Sequence, residues 1–453
     1  MYFLYSLLLG GGILVLLPRF LFDALRHGKY AAGLGERAGR LPEFDAGGCP
    51  VVWLHCVSVG ETQAARPLAR AVLKEYPGHT LVVSTTTQTG QRVAREAFGE
   101  QAALVFYFPF DWAWSVRRAL RALNPSAVLV METELWPRFF HECRRRNVPV
   151  ALVNGRISEK SFRRYRLIRS FIRRVLADLS LASMQTEADA ARIRALGLAP
   201  ERVRVNGNVK FDSEESGTQP RTEELRRRFG FDGGRPLVVA ASTHAPEERL
   251  LLEAYKKIAD TASAARPRLL IAPRHPERFA EVAALIEASG LCRARRSEQA
   301  RVSDAECDVV LLDSIGELRA VYPLAELVFV GGSLTPVGGH NILEPALDAR
   351  CIVTGPHTFN FAAIVREFLE HEALVQLPLL TEHEAAQTLA RVLRELLEDN
   401  ARRRRTGERA RAVLEQNRGA TARTVKLLAP ILTRMSDVRC QRLVKGKTLT
   451  SDI

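Results

Sequence analysis

From residue 50 onward, short apolar or β-branched runs alternate with amphipathic stretches. "VVWLHCV", "TLVVSTT", "ALVFYF", "AVLVME" and "VPVALV" have the length and branching of buried strands. "TQAARPLARAVLKEY" and "WSVRRALRAL" between them repeat apolar positions every three or four residues, the period of a helix with one buried face. This alternation predicts parallel βα units, because consecutive parallel strands need a crossover that a helix supplies. It continues through "LSLASMQ" and "EADAARIRALG" and breaks at "GNVKFDSEESGTQP". It restarts at "PLVVAAST" and runs through "RLLIAPR", "DVVLLDS", "LVFVGG" and "CIVTGP". The break is polar and punctuated by Gly and Pro, which reads as a linker. The predicted fold class is α/β, with two doubly wound, Rossmann-like domains over residues 30–212 and 236–432 joined by a linker at 213–235. Ligands are expected at the carboxyl ends of the strands. The tail, 433–453, lacks apolar periodicity and reads as flexible.

The first residues break the pattern. "MYFLYSLLLGGGILVLLP" carries no charged side chain, and Arg19, Arg26, Lys29, Arg37 and Arg40 follow. A spanning helix needs roughly 20 apolar residues, so the run is borderline. No small-residue cleavage site follows it, and the charge lies on the wrong side for a signal peptide. Residues 1–25 therefore read as an N-terminal membrane anchor, and the basic flank places the rest on the cytoplasmic side of the inner membrane. The alternative is a helix buried against the protein.

A length of 453 residues agrees with two domains, and 47% hydrophobic with 26% charged residues is ordinary for a globular chain. The net charge of +14 suits nucleic acid, an anionic membrane surface or an acidic substrate. From Arg138 to Arg174 there are twelve Lys/Arg and two acids, Glu142 and Glu159. Within this region Phe162, Tyr165, Ile168, Phe171 and Val175 form a helical stripe, either a core-facing surface or a face for anionic headgroups. No nucleic-acid recognition motif is present. Seven scattered cysteines without a CxxC pair argue against a zinc site or a disulfide framework. GxxxxGK[ST], HExxH, GxSxG and a GxGxxG after the first strand are all absent, as is a clustered metal-ligand set.

The candidate chemistry lies where strands end. "VSVGET" places Glu61 at a helix start, either as a reactive carboxylate or as an acid favoured by the helix dipole. Glu36, in "GLGERAG", is its rival. "METELWP" puts Glu132 and Glu134 on one side of an extended segment, able to orient a sugar or tune a base. Lys210, in "NVKFD", could offset an anion. In "APRHPERF", Arg274 follows Pro273 and is placed to clamp a phosphate. "DSIGEL" offers N–H groups around Gly316, with Glu317 beside them. "GGSLTPVGGHNILEP" is a glycine-rich turn between a strand and a helix start, a place to hold an anion, with His340, Asn341 and Glu344 at its end. An acid such as Glu344 can accept hydrogen bonds from ribose hydroxyls.

Taken together, "HCVSVGE", "METELWP", "GNVKFD", "PRHPERF", "GELRAVYPLAELVFVGGSL", "GGHNILEP" and "GPHTFNF" resemble the bacterial 3-deoxy-D-manno-octulosonic acid (Kdo) transferases over about residues 2–430. These are GT-B enzymes, with two Rossmann-like domains facing across a cleft, that move Kdo from CMP-Kdo to lipid A precursor. The resemblance implies Glu61 as general base, with Glu132 and Lys210 supporting the transition state. It implies that Pro273, Arg274, Ile315, Gly316, Glu317, Asn341, Ile342, Leu343 and Glu344 contact CMP. It also implies a membrane anchor, no metal and no cofactor beyond the donor. Partners are then CMP-Kdo, lipid A precursor and a membrane surface, with no nucleic acid. Cys56 stands where a serine is commoner in this motif. Two rivals stay open. One is another GT-B enzyme, a UDP-sugar transferase or sugar-nucleotide epimerase. The other is a non-catalytic, membrane-bound nucleotide-binding module.

Overall fold

The computed structural model describes residues 2, 5–7, 9–12, 33–212, 219–232, 234–261 and 266–433. The chain forms two units, one of residues 1–212 with 418–453 and the other of residues 213–417.

The first unit is built on seven parallel strands: β1 Val51–His55, β2 Thr80–Thr85, β3 Ala102–Tyr107, β4 Ala127–Met131, β5 Val150–Gly155, β6 Leu181–Met184 and β7 Val203–Val205. They are ordered β3-β2-β1-β4-β5-β6-β7. Both faces are covered, which is why β4, and β1 up to its last residue His55, are apolar rather than alternating. Val51 and Trp53 pack on one side with Phe106, Phe139 and Phe140, while Val52 and Leu54 pack on the other with Leu68 and Phe98. The chain leaves β1 toward β2, then returns to the other flank of β1 as β4. Where successive connections leave a strand in opposite directions, the loops part and leave a crevice at the strand ends.

The second unit repeats the plan with β8 Leu237–Thr243, β9 Arg268–Pro273, β10 Arg293–Arg295, β11 Val309–Leu311, β12 Leu327–Val330, β13 Cys351–Thr354 and β14 Val375–Gln376. The order is β10-β11-β9-β8-β12-β13-β14, which puts its switch between β8 and β12.

Four expectations change. First, no helix among the described residues is long and apolar enough to cross a membrane. The anchor expected over residues 1–25, and the inner-membrane placement drawn from it, are therefore withdrawn. Residues 13–32 lie outside the described residues. The described part of the run is tied to the first unit by polar groups. The Tyr2 hydroxyl donates to Asp178 at 2.6 Å and the Tyr5 hydroxyl to Asp111 at 2.9 Å. The Tyr2 ring stacks on His141 and the Tyr5 ring on Phe171. An uncharged run with two tyrosines can satisfy itself on a protein surface as well as in lipid, and composition does not separate the two.

Second, the stretch read as a linker contains the helix Gln219–Phe229, which buries Thr222, Leu225 and Phe229 in the second unit. Third, the helix Ala420–Leu432 belongs to the first unit, not the second. Asp212 accepts the N–H groups of Gly419 and Thr421 at that helix's start, and Val425, Leu428 and Leu432 join the core of the first unit. The flexible tail expected from 433 lies outside the described residues beyond Thr433. Fourth, Cys49 is disulfide-bonded, although the scattered cysteines argued against a disulfide framework, while Cys56, Cys143, Cys292, Cys307 and Cys351 are free.

Candidate active site

In the first unit, the loops after β1 and β4 converge at the switch point. Ser58 caps the helix Val59–Glu75, its hydroxyl accepting the Glu61 N–H. The Glu61 carboxylate turns back to accept the Val57 N–H at 2.8 Å and the Ser58 hydroxyl at 2.9 Å. Glu61 is thus a capping acid and also a nearly buried one, 6% exposed. Burial pushes its pKa up to about 7, with the Glu132 and Glu134 charges adding to the rise and the Val57 and Ser58 hydrogen bonds opposing it. A carboxyl group that titrates near neutrality is suited to accept a proton.

Glu132 follows β4 in the left-handed region, φ 53°. That conformation costs a non-glycine residue about 1–3 kcal/mol and tends to mark functional positions. Its Oε1 lies 3.2 Å from the Lys210 Nζ. Asn154 at the end of β5 accepts the Val209 N–H, and Asn208 accepts the Lys210 N–H, so the turn carrying the lysine is fixed from both sides. Burial, then the Glu132 charge, raises Glu134. Glu61, Glu132 and Lys210, singled out from sequence, thus stand together with Glu134. Glu36 does not join them: its carboxylate accepts the Tyr107 N–H at 2.7 Å.

The balance at Glu61 has a consequence for stability. Glu61→Gln is expected to be the more stable protein above pH 7. The wild-type carboxyl binds its proton more tightly folded, near 7, than unfolded, near 4.5. Its contribution is then fully present below pH 4.5 and lost as pH rises through 7. The gap between the two proteins should open across that window and level off at about 3 kcal/mol. Urea unfolding across pH reads it, and a gap independent of pH would contradict the assignment.

In the second unit the glycine-rich turn after β12 holds an anion, and the anion is the protein's own. The Glu247 carboxylate, 0% exposed, accepts the N–H groups of Gly332, Ser333, Leu334 and His244, at 2.8–2.9 Å. A side chain at Gly331 would meet its Oε2 at 2.7 Å, so glycine is required there. This corrects the expectation that these N–H groups await a ligand. Glu247 was missed because "STHAPEE" reads as an ordinary helix start.

Beside this turn, Arg274 follows β9 and is exposed, and its guanidinium makes no ion pair among the described residues. Its charge is felt at His244, at His340 and at Glu344, so three separated motifs meet around it. Asn341 donates from Nδ2 to Glu344 at 3.0 Å and accepts the Leu343 N–H, orienting the acid. Ile342 and Leu343 are buried in the core beneath. Pro273 ends β9 with its ring buried.

Ile315, Gly316 and Glu317 line a cavity of about 650 Å³ together with Arg221, Arg296 and Ser297. Arg296 holds Glu317 bidentately at 2.9 and 3.0 Å, and Arg221 and Ser314 bond it as well. These bonds, that from Arg296 foremost, hold the Glu317 carboxyl down at about 2. The two arginines come from segments without a motif of their own, and only the fold brings them to the loop. No cluster that could hold a metal ion occurs among the described residues.

Two doubly wound parallel sheets, each with its own switch point, give the chain a GT-B-like fold. UDP-GlcNAc 2-epimerase from Neisseria meningitidis, solved with UDP-GlcNAc, shares this fold at a TM-score of 0.54 and 11% identity, covering 84% of this chain and all of that one. A glycosyltransferase from Rickettsia africae does so at 0.53 and 12%, covering 85% and 100%. The family model of 3-deoxy-D-manno-octulosonic-acid transferase (kdotransferase) matches residues 32–213. The 3-deoxy-D-manno-octulosonic acid transferase of Haemophilus influenzae is 34% identical over 91% of this chain and 94% of its own length. That of Bordetella pertussis is 35% identical over 83% and 86%. The chain belongs to the Kdo transferase family.

Proposed function

We infer that this chain transfers Kdo from CMP-Kdo to a hydroxyl of a lipid A precursor. The observation that carries the reading is the pair of switch-point clusters: acid-rich in the first unit, cationic and ribose-ready in the second. The donor is anionic at its phosphodiester and at the sugar carboxylate. Arg274 holds the phosphate, and Glu344, aimed by Asn341, takes the ribose hydroxyls. The nucleotide extends toward Ile315–Glu317. Glu61 removes the proton from the acceptor hydroxyl as it attacks the anomeric carbon, and the bond to CMP breaks on the opposite face, which inverts the centre. Lys210, steadied by Glu132, offsets charge that develops in the transition state. No step calls for a metal ion.

Contact with an anionic lipid surface is part of the same proposal. Leu167 and Ile168 stand 86% and 51% exposed where the helix Glu159–Leu167 gives way to Arg169–Ala177, among Arg163, Arg164, Arg166 and Arg169. The rest of the stripe, Phe162, Tyr165, Phe171 and Val175, packs on the core.

The donor site is tested by calorimetry with CMP and UDP. Wild type is expected to bind CMP in preference to UDP. Arg274→Ala and Glu344→Ala should each weaken CMP by about 1.5–3 kcal/mol, roughly 10–150-fold. Unchanged affinity in both variants would move the nucleotide elsewhere, and a preference for UDP would favour the epimerase-like alternative.

A further inference from the structure

His244 and His340 come from different loops, after β8 and β12, and meet Nε2 to Nε2 at 2.8 Å with their rings parallel within 7°. Such a contact requires one proton between the two nitrogens. One ring donates from Nε2 and has a bare Nδ1. The other accepts at Nε2 and carries its proton on Nδ1. The neutral pair therefore offers its surroundings one N–H donor and one unshared lone pair.

The chain makes room for this pair. Gly332 has φ +64°, and a Cβ there would stand 3.0 Å from the His340 ring and 3.4 Å from that of His244. Glu247 grips the N–H groups of both His244 and Gly332, so a single carboxylate sets both loops. Arg274 is the one cation facing the pair that no carboxylate among the described residues pairs with. His275 meets the His244 ring edge-on at 5.1 Å, and Arg274 acts on both imidazoles. Arg278 and Glu248, which reach His244, are paired with each other at 2.6 Å and cancel at a distance. Burial foremost, then the partner ring His244 and the Arg274 charge, holds His340 down at about 3, and burial foremost lowers His244, so without a ligand the pair is neutral. An anion beside Arg274 reverses the sign of that field.

We propose that the His244–His340 pair takes up one proton from solvent when the donor nucleotide's phosphate binds, and presents a shared imidazolium to it. This rests on the donor site described above and adds what that site does to charge. As the glycosidic bond breaks, its electron pair stays on the phosphate oxygen and CMP gains a second negative charge. The acceptor's proton goes to Glu61. The proton on the histidine pair is not transferred; it offsets the new charge and returns to solvent when CMP leaves.

The test is titration calorimetry of CMP at pH 7.5 in Tris, HEPES and PIPES, buffers of different ionisation enthalpy. At this pH a free phosphate monoester, with its second pKa at about 6, is mostly a dianion. The slope of observed heat against buffer enthalpy counts protons. Wild type should take up between about half and one proton, and CMP should weaken by up to about tenfold per pH unit above neutrality. His244→Asn and His340→Asn, with thermal melts confirming that they fold, should bind CMP with a slope near zero. CMP binding to wild type without proton uptake overturns the proposal and leaves the donor site standing. Uptake that persists in both variants puts the proton on the phosphate and also overturns it. A wild type that does not bind CMP at all removes the functional reading itself.

Discussion

Glu61→Gln should turn over about 10²–10⁴-fold more slowly than wild type under saturating donor and acceptor, the usual loss when a general base is removed. It should bind CMP unchanged. The amide oxygen can still accept the Val57 N–H, and its NH2 can donate to the Ser58 hydroxyl in place of the bond that hydroxyl gave the carboxylate, so the helix start survives, but the amide cannot accept a proton. Because the wild-type group titrates near 7, the wild-type rate should fall as pH drops below that value and the residual rate of the variant should not. Glu36→Gln is the control, since its carboxylate is spent on the Tyr107 N–H. If Glu36→Gln is dead while Glu61→Gln keeps near-normal turnover, the base is misassigned. If both variants complement cells as well as wild type does, the chain serves as a nucleotide-binding module rather than an enzyme.

Glu247→Ala has the largest expected effect on the second unit. It leaves four backbone N–H groups without their acceptor, in a place the wild type keeps dry. An orphaned buried donor costs about 1–3 kcal/mol, and four are left here at once. A loss of more than about 3 kcal/mol by urea unfolding is expected. CMP binding should weaken with it and lose its proton uptake, because the same turn sets His244 and His340. Glu247→Gln should recover little, since its amide brings a donor to a nest of donors. Unchanged stability in the alanine variant would mean that the loop holds its shape without the carboxylate.

The architecture was readable from "VVWLHCV", "PLVVAAST" and their kin because a strand covered on both faces must be apolar along its whole length. The site was partly readable for a related reason. Residues at strand ends that reverse the chain, such as Gly60–Glu61 and Met131–Glu132, are near the crevice wherever the sheet switches direction. What failed were readings that depend on a partner far along the chain. The apolar start looked like a membrane span until Asp111 and Asp178 supplied acceptors for its tyrosines. The helix Ala420–Leu432 followed the second unit in sequence but its N-terminus is capped by Asp212. The glycine turn looked empty because its anion sits 85 residues earlier, as Glu247. Arg221 and Arg296 carry no local signal at all.

The most direct measurement of the central claim is a transfer assay. The purified protein is incubated with CMP-Kdo and tetraacyl lipid A precursor, and the lipid is weighed by mass spectrometry. The precursor should gain the mass of a Kdo residue, Kdo less one water, with release of CMP, no gain should occur from a UDP-sugar, and Glu61→Gln should show almost none. Lipid of unchanged mass in the presence of protein that binds CMP would contradict the account.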